Sequence, residues 1–311
     1  MTPSLTQVRL AGGAQGFNWL PVFVAEEQGL FERNGLTIEY LKLGSVDKAT
    51  TAVREGTADL AITPPEGAIA DFVSGGSLRI IGANAVRLPM SLVARPDVAG
   101  IQELRGKRIG TSSLTEGTAI YTQMMLQQEG LSYPADYDFV LAGVHTTRWA
   151  ALRNGEIDAA PQPAPWNFLA EREGYRLIGE TNDVIPELVF AALIGNSGWV
   201  SANPETVGKL VAALAEAHEF VNDPANDAVT LPIYQRLTTP GDVELATQGL
   251  AYTRDMGMWP GNLQIVPTAL QATVDLMIRV GLLGSEHRTT AEGAFDPGFV
   301  RQLTAPTPAT A

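Results

Sequence analysis

The sequence predicts an α/β chain folded as two lobes, joined by two crossovers that act as a hinge and followed by C-terminal helices. Three observations lead there. The chain has 311 residues, which is long for one compact domain and comfortable for two. Its composition, 45% hydrophobic and 18% charged, is that of a chain able to bury a full core. Most telling is an internal repeat. The run Val53-Arg54-Glu55-Gly56-Thr57-Ala58-Asp59-Leu60-Ala61 returns 99 residues later as Leu152-Arg153-Asn154-Gly155-Glu156-Ile157-Asp158-Ala159-Ala160. The same offset aligns Val8-Arg9-Leu10 with Lys107-Arg108-Ile109, Gly44 with Gly143, and Gly75 with Gly174.

Each copy reads in the same order. A short strand (Val8 to Ala11; Arg108 to Thr111) leads into a helix that ends near glycine (Gly29, Gly35; Gly130), where a left-handed cap is least strained. A second strand follows (Leu36 to Leu43; Tyr137 to Ala142). Then comes a helix for which Ser45 and Thr146 are the expected N-caps. Gly56 and Gly155 end those helices, and a third strand begins at the aspartate. Strand–helix–strand–helix–strand with short loops is a parallel α/β unit. Extended segments near Asn84 to Pro96 and Asp183 to Val200 read as the two crossovers. The expected division is 1–90 with 195–311 as one discontinuous lobe, and 91–194 as the other. Asn203 with Pro204 at the first helical position opens a helical C-terminal part, expected to pack on the first lobe. The Pro/Thr/Ala run at the end is expected to stay unpacked.

Composition narrows the function classes. With no cysteine there is no disulfide, thiolate nucleophile or Cys-ligated metal. The three histidines are far apart in sequence, so a His-rich metal site is not expected unless the fold brings them together, and no cofactor is expected. A net charge of -13 argues against nucleic acid and against an anionic membrane surface as partner. It does not bar a small anion, which local donors and helix N-termini can hold. No apolar run approaches the roughly 18 residues of a membrane span. The first residues lack the basic-then-apolar pattern of an export signal. The expected location is therefore extracytoplasmic if such a signal was removed, and cytoplasmic otherwise.

The run from Asn18 to Leu36, which includes Pro21, Ala25, Glu27, Gly29, Phe31, Gly35 and Leu36, resembles the P-x-x-x-A-x-E-x-G-x-F-x-x-x-G-L signature of NMT1/THI5-like solute-binding proteins. Gly44-Ser45, Gly56-Thr57-Ala58-Asp59 and Leu104-Arg105-Gly106-Lys107-Arg108-Ile109-Gly110 are similar to its later landmarks. The resemblance, over about residues 8–225, implies a type II periplasmic-binding-protein fold (SsuA-like) and a monomer that captures a small polar or anionic organic molecule between its lobes and hands it to an ABC permease. It also admits a second reading, an enzyme on the same scaffold. The pyrimidine synthases among the relatives use a cysteine motif that this chain lacks. A decarboxylase or lyase acting on a small aromatic or heterocyclic acid, using His145, Glu66 or Arg87, stays open.

In a parallel α/β sheet, ligands sit beyond the carboxyl ends of the strands, so six loops should line one inter-lobe cleft. The glycine-rich turn Gly12 to Trp19 offers Gln15, Phe17, Asn18 and Trp19; the next two loops offer Ser45, Thr63 and Glu66. The second lobe offers Ser112, Ser113 and Thr115 in a hydroxyl-rich turn, His145, and Gln162 with Trp166. Asn84, Arg87 and Glu187 are the crossover candidates. The aromatics could stack on a planar ligand or cap the core; the hydroxyls could hold an oxyanion or serve as caps; Glu66 could meet a cation or favour its helix dipole. No motif of the kind that demands catalysis is present, neither a nucleophile elbow, a P-loop nor H-E-x-x-H.

Overall fold

A computed structural model describes residues 4–304, so the C-terminal run 305–311 lies outside the described residues. Among the described residues, ten strands form two five-stranded sheets. The first holds β1 (Thr6–Gly12), β2 (Leu36–Lys42), β3 (Leu60–Thr63), β4 (Leu78–Val86) and β10 (Val189–Asn196), in the order β2-β1-β3-β10-β4. The second holds β5 (Met90–Ala94), β6 (Arg108–Thr111), β7 (Asp138–Leu141), β8 (Ala159–Pro163) and β9 (Arg176–Glu180), in the order β7-β6-β8-β5-β9. The orders are equivalent. In each sheet the first three strands of the repeat are parallel, and a strand arriving from the other lobe is inserted antiparallel beside the third. The chain is thus a two-lobed α/β fold of the periplasmic-binding-protein type.

The expected crossovers are refined by this exchange. Most of their residues are sheet strands, and only short links such as Arg87–Pro89 lie between the lobes. The return strand β10 already belongs to the first sheet from Val189, ahead of the 194/195 division expected from the sequence. The links touch where Arg87 N–H donates to the Leu188 carbonyl at 3.2 Å. Arg87 takes φ 81, a left-handed conformation uncommon for a residue with a Cβ.

The repeat has a concrete physical cause. Asp59 Oδ2 accepts from the Arg9 backbone N–H at 2.8 Å, and its Oδ1 meets the Arg9 guanidinium at 2.6 Å. In the second lobe Asp158 Oδ2 accepts from the Arg108 N–H at 2.9 Å and from its Nε at 3.2 Å. The arginines also donate to the carbonyls of Gly56 and Gly155, whose φ values of 74 and 71 suit a residue without a Cβ. The Arg–Gly–Asp arrangement therefore staples the first strand of each lobe to the start of the third.

Leu10, Leu60, Ile62, Leu193 and Ile194 fill the centre of the first lobe at 0–1% exposure. The helix Pro204–Asn222 packs on Leu20–Glu27 of that lobe. The remaining C-terminal helices, expected to pack on the first lobe, also touch the second. Tyr234 Oη donates to the Ala164 carbonyl at 3.2 Å, and Tyr252 packs edge-on to Phe168. Thr146 is not an N-cap: the helix His145–Arg153 begins one residue earlier, with Val144 at the cap position. Ser45 does hold the cap position of Val46–Arg54, but its side chain makes no capping bond. No helix among the described residues is long and apolar enough to cross a membrane.

Candidate functional site

The carboxyl ends of both sheets face each other and enclose a cavity of about 70 Å³. From the first lobe it is lined by Gly13, Ala14, Phe17, Asn18 and Trp19 after β1, by Val46, and by Ile62, Thr63 and Pro64 at the end of β3. The second lobe supplies Ser112, Gly117 and Thr118 after β6, Val144, His145 and Arg148 at the next helix start, and Pro163. The inserted strands contribute Met90 from β5 and Phe190 and Ala191 from β10. The lobes are in contact: Ser113 Oγ donates to Asp47 Oδ1 at 2.8 Å across the cleft.

Three features set its chemistry. Phe17 stacks on Phe190 at 5.8 Å between centroids, with Trp19 buried beside them, so one wall is aromatic. His145 is 6% exposed and stands edge-on to Phe17 at 6.0 Å. Burial, then the charges of Arg148 and Lys42, lowers its pKa to about 3, so the imidazole is neutral at ordinary pH. Arg148 is 3% exposed. Its Nε and Nη2 donate to the Pro161 carbonyl at 3.2 and 3.0 Å, and its Nη1 donates to the Gly143 carbonyl at 2.9 Å. A guanidinium has five N–H groups, so donors remain beyond these contacts. Burial lowers its pKa to about 9, which leaves it a cation at neutral pH. Among the described residues no carboxylate pairs with it.

Of the residues expected at the cleft, Phe17, Asn18, Trp19, Thr63, Ser112 and His145 line the cavity. The others do not. Gln15 stands on the same turn at φ 50, with its amide nitrogen buried and unpartnered. Ser45 begins the helix next to Val46. Asn84 is fully buried behind the turn, where its Nδ2 supports the Asn18 carbonyl at 2.6 Å. Ser113 is used by the fold, because its Oγ accepts from the N–H groups of Thr115 and Glu116 at 3.0 Å each. Thr115 is exposed on that turn. Gln162 is fully buried; its amide bridges the His145 carbonyl (3.3 Å) and the Trp149 N–H (3.1 Å) when oriented to satisfy both. Trp166 stands behind His145 at 5.7 Å between ring centroids. Arg87 is exposed at the hinge, with its guanidinium on the Met256 carbonyl, and Glu187 sits on the return link. Glu66 is buried between the lobes beside the cavity, with Tyr121 Oη donating to its Oε1 at 3.1 Å.

Arg148 and Phe190 were not legible as site residues. Arg148 lies one helical turn past His145, and Phe190 sits in an unbroken apolar strand; each gains its role only from the packing that assembles the cavity. Their one signal is position, since both fall near the carboxyl end of a repeat element or on a crossover.

Gly16 marks how tightly the lobes close. A Cβ there would come within 2.7 Å of the His145 Cε1 across the cleft. Gly16→Ala is expected to prop the lobes apart, weakening ligand binding about tenfold, on the order of 1.4 kcal/mol. The melting temperature of the free protein should stay within a few degrees. Small-angle scattering with and without ligand checks this; an unchanged compaction on binding would refute it.

Comparison with known proteins agrees with this architecture. The NMT1/THI5 like family model matches residues 16–227. A putative binding protein of Brucella abortus is 26% identical over 200 residues, covering 63% of this chain and 61% of its own length. The chain thus spans under two thirds of the curated relatives it matches first. Among solved structures, a Bordetella bronchiseptica protein superposes with a TM-score of 0.82 at 20% identity, covering 95% of this chain and 96% of that one. The alkanesulfonate-binding protein SsuA of Xanthomonas axonopodis pv. citri, bound to MOPS, superposes at 0.74 with 17% identity, covering 96% and 100%.

Proposed function

The chain belongs to the NMT1/THI5-like family, and from that premise we propose that it is the solute-binding component of an ABC-type importer, closing its lobes on a small organic anion. The observation that carries the anion is Arg148, a buried cation with spare donors and no carboxylate partner in a mostly apolar cavity. A charge in such surroundings is unfavourable until an opposite charge arrives. A guanidinium fork suits carboxylate and sulfonate oxygens. The hydroxyls of Ser112 and Thr118, 3.1 Å apart, give further polar contacts. Phe17, Trp19 and Phe190 then face the apolar part of the guest. MOPS in the SsuA relative, a sulfonate on a bulky organic body, has this character. An extracytoplasmic site of action and a membrane permease as partner belong to the same reading.

Melting the protein against sulfonates, aromatic carboxylates, nitrate, pyrimidines and amines tests it. A true ligand at a hundredfold excess over its Kd stabilises by about 2.7 kcal/mol. Stabilisation is expected among the organic anions and absent with amines; the reverse order would overturn the reading. Chemical turnover of the stabilising compound would instead support a decarboxylase or lyase.

A further inference from the structure

Beside the ligand cavity the lobes meet through two carboxyl groups that ligand capture does not use. Glu66 opens the helix Glu66–Val73 on the first lobe and is 1% exposed. Tyr121 of the second lobe donates to its Oε1 at 3.1 Å, while Oε2 is buried without a partner. Glu116 comes from the second lobe and is 5% exposed. Its Oε2 lies 3.2 Å from Thr50 Oγ1 on the first lobe. Its Oε1 rests against Gly67, where a Cβ would come within 2.3 Å. Each lobe therefore sends one carboxyl into the other, at neighbouring positions of the same buried patch.

The hydrogen bonds leave room for a proton on Glu116, whereas those to Glu66 from Tyr121 and from the Glu66 and Gly117 backbone favour its ionised form and are outweighed by burial. Thr50 Oγ1 stands within reach of both the Val46 carbonyl (3.3 Å) and Glu116 (3.2 Å), but a hydroxyl has one proton to donate. With that proton on Val46, a protonated Glu116 donates to Thr50 and satisfies both contacts. The surrounding charges do not favour two carboxylates. Asp47 adds a third acid at the edge, Arg54 is already bound to Asp71, and Tyr121 and the neutral His145 bring no positive charge. Burial is the main cause that raises Glu66 to about 7; burial, then the charges of Glu66 and Asp47, raises Glu116 to about 8.

We propose that Glu66 and Glu116 form a proton-operated latch: protonated, they hold the lobes together, and ionised, they drive the lobes apart and release the guest. What is released rests on the solute-binding reading above; the latch itself is a property of the ligand-free chain. The sign follows from linkage. When the lobes part, both carboxyls meet water and return toward their ordinary value of 4.5. Closure therefore takes up protons. The latch is fully set below that ordinary value and is lost as pH rises through about 7 to 8. Over that window the closure constant falls up to about tenfold per pH unit for each proton taken up.

The chain has no cysteine, so a dye pair can be placed cleanly. Lys42→Cys and Leu141→Cys put one label on each lobe, at exposed carboxyl ends of β2 and β7. Energy transfer is followed in the full, ligand-free chain from about pH 5.5 to about pH 8.5, which covers the neutral part of that window and the plateau above it. The expected result is a lobe separation that changes across this range and a Glu66→Gln, Glu116→Gln double variant that stays closed throughout. If the double variant does not fold by circular dichroism, Glu116→Gln alone carries the test, with a shallower pH response because one proton is lost from the linkage. A separation that ignores pH, or a response that persists undiminished in the glutamine variants, overturns the latch. Failure of anion capture would appear in the melting screen instead and leave this ligand-free response untouched.

Discussion

Arg148→Met is expected to remove nearly all organic-anion binding while leaving the free protein folded. Truncating one partner of a buried, hydrogen-bonded charge pair typically costs 2–5 kcal/mol, about 30-fold to a few thousand-fold in Kd. Methionine roughly fills the volume, and the side chain that leaves is an uncompensated buried cation. Its loss offsets the carbonyls of Pro161 and Gly143 that lose their donors. The melting temperature without ligand should therefore move little. Arg148→Lys keeps the charge but not the fork, and should bind at an intermediate level. Titration calorimetry with the best anion from the melting screen decides. Unchanged affinity in the methionine variant would mean that the guest is held by other groups and that Arg148 only ties the Gly143 loop to β8.

The second large effect concerns stability. Asp59→Ala is expected to destabilise the protein by about 2–4 kcal/mol, because the Arg9 N–H and guanidinium lose a largely buried acceptor together. Asp158→Ala should do the same in the other lobe through Arg108. Asn at either position keeps one acceptor and should lose about half as much. The pH dependence has a definite sign. Burial alone would raise the Asp158 carboxyl, but the N–H and guanidinium of Arg108 outweigh it and hold the pKa below the ordinary value. Its stabilising contribution is therefore present above that ordinary value and is lost as pH falls through the lowered one. Urea melts of wild type and Asp158→Ala should converge at acid pH. A constant gap from neutral to acid would show that the ion pair is not the source.

The staple also explains why the architecture was readable from the chain alone. The same three side-chain and backbone demands recur 99 residues apart, and each must be met by residue type. Arginine reaches the glycine carbonyl, glycine takes the left-handed turn, and aspartate accepts two bonds at once. Local chemistry of this kind leaves a mark in sequence. The lining of the cleft leaves a weaker one. The turn after β1 was visible by its glycines and aromatics, and it supplies Phe17, Asn18 and Trp19 to the cavity. Ser113 and Gln162 looked like ligand donors, yet the fold consumes them, one as a turn acceptor and the other as a bridge inside a helix. Sequence shows that a hydroxyl or amide is present; it does not show which backbone group claims it first.

By itself the amino-acid sequence determined the class of fold, the duplication, the short loops at the strand ends and the lack of any cysteine chemistry. All of these follow from residue spacing and from conformational preferences within a few residues of each other. Tertiary structure alone decided that β5 and β10 are exchanged between the sheets, that Arg148 is buried without a counter-ion among the described residues, and that Glu66 and Glu116 each lie buried against the opposite lobe. Those outcomes depend on which surfaces lose water when distant segments meet, and desolvation is a property of the assembled neighbourhood, not of any one stretch of chain.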